Sequence, residues 1–103
     1  MITSYPLNNM TIFDKISMRI IKEQELIIGP VAWEQARKVT GLNVIDPKKG
    51  EVTVSGTDPK TIIDMLVAQY ERIFGKASHA VCHDAVQDII AEMKPDEVPM
   101  SLK

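Results

Sequence analysis

The chain has 103 residues, 45% of them hydrophobic and 25% charged, with a formal net charge of −2. This is the size of one domain and the composition of an ordinary soluble globular protein, and the charge gives no overall pull toward nucleic acid or anionic membrane. The single cysteine, Cys82, rules out an intrachain disulfide and suits a reducing compartment, so the cytoplasm is the expected location.

Residues 1–9 carry Pro6 and show no periodicity; they read as a flexible lead-in, without the basic start and apolar block of a signal peptide. The globular domain is expected over residues 10–94. Thr11 is placed to cap a helix in which Ile12, Phe13, Ile16, Ile20 and Ile27 share one side, with Ile21 and Ile28 widening the stripe. The pattern stops at Gly29 and restarts at Pro30. Gly favours the position just past a helix end and Pro the first position of the next, so the joint reads as a tight helix–Gly–helix corner. The longest apolar run, Leu26 to Trp33, falls well short of the about 20 residues that a membrane span needs.

A second helix is expected from Val31 to Thr40, ended by Gly41. From Leu42 to Ser55 the period changes from 3.6 to 2. Two strands there flank Asp46-Pro47-Lys48-Lys49-Gly50, which has the make-up of a hairpin loop. Asp58-Pro59 then opens a third helix that runs to Phe74, with Gly75 making a second corner. A single last helix is expected over about Ala77 to Lys94, followed by a mobile tail, 95–103, marked by Pro95 and Pro99. The fold class is therefore α+β and mostly helical, in the order α-α-β-β-α-α, with two helix–Gly–helix corners flanking a two-stranded hairpin.

The corners align at an offset of 46 residues. Glu25 falls on Glu71, Ile27 on Ile73 and Gly29 on Gly75; Ile20/Leu66, Ile21/Val67 and Ile28/Phe74 follow, and Ala36 falls on Cys82. Two amphipathic helices that both end in Gly would match in much the same way, so the pattern leaves duplication open.

Candidate chemistry is sparse. His79 and His83 lie one helical turn apart with Cys82 between them, a spacing that could face one metal. A closed zinc site needs four ligands, however, and the chain has no second paired cluster. Cys82 also belongs to an apolar stripe, where a free thiol acts as a small hydrophobe. Asp14, Asp64, Asp84 and Asp88 fall on expected wet faces. No catalytic, cofactor or metal residue is therefore assigned, and the chain is not expected to be an enzyme.

Two functions remain. The first is a small protein–protein interaction or regulatory, signalling module, acting as a homodimer through Ile27, Ile28, Trp33, Ile73 and Phe74 beside the corners. The wide apolar stripes motivate it. The alternative is a winged-helix-like nucleic-acid binder built on the 42–55 hairpin, using Arg37, Lys38, Lys48 and Lys49. The acidic balance and the few polar side chains on the second helix count against that alternative.

Overall fold

Thr11 opens the first helix as the sequence anticipates. Its hydroxyl accepts from the Asp14 amide at 3.1 Å, while Asp14 Oδ2 accepts from the Thr11 amide at 3.0 Å, a reciprocal cap. In this computed structural model, which describes residues 10–56 and 58–103, the helix α1 spans Ile12–Ile28. The lead-in expected over 1–9 lies outside the described residues. After Gly29 and Pro30 the chain forms α2, Val31–Ala36, then the strands β1, Leu42–Asp46, and β2, Glu51–Val54. Helices α3, Pro59–Phe74, α4, Lys76–Ala85, and α5, Gln87–Ile90, complete the order. The architecture is the expected α+β arrangement of helices around one antiparallel hairpin.

The hairpin pairs Leu42 with Val54, Asn43 with Thr53 and Val44 with Val52. It bulges at Ile45, so that Asp46 meets Glu51. Two strands alone are marginal in water, and this ribbon is held on α1. Because the Ser55 amide bonds to the Gly41 carbonyl, the Leu42/Val54 pair is a non-bonded one and the Val54 N–H points outward. It donates to Asp14 Oδ1 at 2.8 Å. The same carboxylate therefore caps α1 and closes the outer edge of β2. Asp14, expected on a wet face, is buried for this reason.

Ile16, Ile20 and Ile21 from α1 meet Ile62, Ile63, Leu66, Val67 and Tyr70 from α3 in the core, with Ala32, Trp33 and Ala36 from α2 and Cys82 from α4. These residues recur at helical spacing, so each helix turns one stripe inward. Among them the offset of 46 is repeated in space. The buried positions 16, 17, 20, 21 and 24 of α1 correspond to the buried positions 62, 63, 66, 67 and 70 of α3.

Three expectations are corrected. The second helix ends at Ala36 rather than Thr40. Tighter bonds from Lys38 to Gln35 and from Val39 to Ala36 replace helical ones and let Val39 turn into the core. The last helix does not run unbroken from Ala77 to Lys94. It breaks at Val86, which is buried with φ −121° and whose amide bonds to His83, three residues back. The Arg19 guanidinium donates to the Ala85 carbonyl next to the break, at 3.2 Å. Finally, the expected tail packs down. Short 3₁₀ turns at Pro95–Glu97 and Met100–Leu102 bring Val98 and Leu102 into the core, and Asp64 Oδ1 accepts from the Ser101 amide at 2.9 Å and its hydroxyl at 2.6 Å.

Candidate functional site

Both corners are built the same way. Gly29 has φ 78° and Gly75 φ 90°, a left-handed backbone that an L side chain rarely adopts. A Cβ at either glycine would meet nothing within 4 Å, so backbone conformation rather than space demands Gly there. The Gly29 amide bonds to Glu25 at 2.9 Å and the Gly75 amide to Glu71 at 2.8 Å. The two glycine carbonyls accept from Ala32 and Ser78, each at 3.0 Å.

This geometry turns each helix end outward before the chain reverses. Leu26 is 80% exposed and Ile27 62%, while Ile73 and Phe74 are 44% and 36% exposed. Of the five residues expected to form an interface, Ile27, Ile73 and Phe74 are therefore on the surface, and Ile28 is half-buried. Trp33 is not; at 3% exposure it is a core residue, and its indole N–H has no partner among the described residues. Leu26 joins the surface set. The sequence reading missed it because the helical stripe assigns it to neither face.

Charges flank each corner. Glu23 is exposed beside Leu26 and Ile27, and Arg72 and Lys76 are exposed beside Ile73 and Phe74. The ion pairs among the described residues, Arg19–Asp88, His79–Glu71 and His83–Asp84, use none of the three.

The four cations of the nucleic-acid reading are all exposed, Arg37 and Lys38 after α2 and Lys48 and Lys49 at the hairpin tip. The helix that precedes them, α2, offers little to a groove. Ala32, Trp33, Gln35 and Ala36 are buried, which leaves Glu34 as the exposed side chain of α2.

The histidine–cysteine cluster is dispersed by its contacts. Cys82 is buried and accepts from the Gln24 amide at 3.3 Å. Burial pushes its thiol up to about 11, against a smaller opposing pull from that hydrogen bond. His83 Nδ1 lies 3.5 Å from Asp84. Among the described residues no three His, Cys, Asp or Glu side chains are grouped to hold a metal ion.

His79 belongs to a cluster that sequence reasoning did not find. Its Nδ1 lies 3.0 Å from Glu71 Oε1, and its Nε2 donates to the Ser101 main-chain carbonyl. A carboxylate, an imidazole and a serine are thus assembled, but the Ser101 hydroxyl donates to Asp64 instead of facing the imidazole. The cluster acts as a clasp that fastens the C-terminal turn to α3 and α4. Nothing in the spacing signals it, because Asp64, Glu71, His79 and Ser101 meet only once the chain has folded.

No family model matches the chain, and no curated protein or solved structure matches it either. No helix among the described residues is long and apolar enough to cross a membrane.

Proposed function

We propose that the protein is a small, non-enzymatic interaction or regulatory module that acts as a homodimer in a reducing compartment, the cytoplasm by default. One observation carries this reading. Leu26, Ile27, Ile73 and Phe74 stand outside the core at the two corners, where the rest of each helix stripe is buried. Large apolar side chains left on the surface at each corner favour a protein partner, and they supply the anchors of an interface. A closed two-fold dimer is the commonest way to cover such surface with a second copy of the same chain.

Sedimentation equilibrium at micromolar concentration tests the proposal. A dimer is expected, and Ile27→Glu together with Ile73→Glu should return it to a single species near 11.5 kDa. A wild-type protein already at that mass would sink the dimer reading.

A further inference from the structure

The two corners share a backbone but not a charge. At the offset of 46, Leu26 stands where the second corner has Arg72, and Pro30 where it has Lys76. Corner one borders an open groove of about 570 Å³ between α1 and α4, whose apolar side is Ile27, Val81 and Ala85. Its rim carries Glu23, Asp84 and the Arg19–Asp88 pair. Arg19 meets Asp88 with both terminal nitrogens, at 3.0 and 3.2 Å, so that pair is close to neutral. Glu23 has no ion pair among the described residues, and Asp84 reaches only His83 at 3.5 Å. The groove therefore sets a small apolar side, Ile27, Val81 and Ala85, among charged side chains, with acid to spare.

Corner two is its complement. Ile73 and Phe74 project from the end of α3, and every residue from Arg72 to Ala77 is exposed. Arg72 donates to Gln69 at 2.6 Å and Lys76 has no carboxylate partner among the described residues.

Resting on the dimer reading above, we propose that the α1–α4 groove of one copy seats Ile73 and Phe74 of a second copy, with Arg72 and Lys76 of each meeting Glu23 and Asp84 of the other. The contact is reciprocal, so one two-fold axis satisfies both corners of both chains. The apolar side chains supply affinity, and the opposite charges fix which corner meets which. Glu23 beside corner one and Arg72 beside corner two also disfavour the like-with-like pairings of corner one on corner one or corner two on corner two.

Complementary charge reversal tests this. One variant carries Glu23→Lys and Asp84→Lys, the other Arg72→Glu and Lys76→Glu; all four sites are exposed, and circular dichroism confirms that each variant is folded. Each variant alone should self-associate about tenfold more weakly or worse, since several favourable exposed pairs become repulsive. An equimolar mixture should recover a heterodimer near the wild-type affinity, measured by sedimentation with one variant labelled. A wild-type dimer whose variants associate as before, or whose mixture recovers nothing, would overturn this pairing and leave the dimer standing. Open-ended oligomers would also overturn it. A monomeric wild type would instead remove the dimer reading on which it rests.

Discussion

The Tyr70 hydroxyl donates to the carbonyl of Ala32 at 2.6 Å, deep between the two corners. Its counterpart is the Gln24 side-chain amide, which donates to the carbonyl of Ser78 at 3.0 Å. Residue 70 is 24 advanced by the offset of 46, and 78 is 32 advanced by the same step. Each donor thus reaches across to the other corner at the equivalent carbonyl, which is the contact pattern of a local two-fold axis. Both bonds are buried, so each holds one corner against the other where water cannot compete.

Removing either donor should loosen the pairing of the corners. Tyr70→Phe keeps the packing and deletes one bond, and it should cost about 1 kcal/mol in urea denaturation. Gln24→Leu should cost about as much or more, because the Gln24 amide also donates to Cys82. No change in either midpoint would mean that these bonds are incidental to the arrangement.

Much of this was open to sequence reading, and the reason is local. Gly29, Gly75, Thr11 and Asp58 announce helix ends through backbone conformation and caps, which depend on near neighbours. The change of period at Leu42 marks the hairpin in the same way. The missed features depend on contacts distant in sequence. Asp14 reads as a wet-face carboxylate until Val54 arrives beside it, and Leu102 reads as tail until Asp64 and His79 hold the turn that carries it. Val86 breaks the last helix with no Gly or Pro to signal it. Trp33 reads as an interface residue but is buried, because an amphipathic pattern shows which stripe is apolar and not what covers it.

Asp14 should prove more important than its place in a first turn suggests. Asp14→Ala leaves the Thr11 and Val54 amides without their carboxylate, and bonds to a charged acceptor contribute about 1.5–3 kcal/mol. The loss should be localised as well as global. Amide hydrogen exchange at Val54 should accelerate more than exchange at Ile63 or Leu66, which lie in the core of α3. Uniform acceleration would argue against Asp14 as the tie between hairpin and helix.

The C-terminal turn should behave as part of the domain. Leu102 is fully buried, so Leu102→Ala should cost about 2–5 kcal/mol. Asp64→Ala removes the acceptor of both Ser101 bonds, and it should raise proteolysis near residues 95–103 before the rest of the chain unfolds. Unchanged protection in both variants would show that the clasp is dispensable.

Stability should fall in alkali, and the buried thiol is a main reason. Burial holds Cys82 protonated up to about 11 in the folded chain, while an unfolded cysteine releases its proton near about 8.5. The folded state therefore binds more protons in this interval, and stability declines as pH rises. The stabilisation is complete below the unfolded value and is lost as pH rises through the folded one. Tyr70 works in the same direction, since burial first, then the charges of Cys82 and Glu25, push its phenol upward. Urea midpoints for the wild type should hold level from about pH 7 to about pH 8 and then drop toward about pH 10. Cys82→Ala places at this position the residue that its partner in the repeat, Ala36, already carries. That variant should stay nearly level over the same interval, because an unfolded tyrosine releases its proton only at about 10 and Tyr70 therefore acts at higher pH. An identical slope with and without the thiol would show that Cys82 does not titrate on unfolding, and the inference from its burial would be wrong.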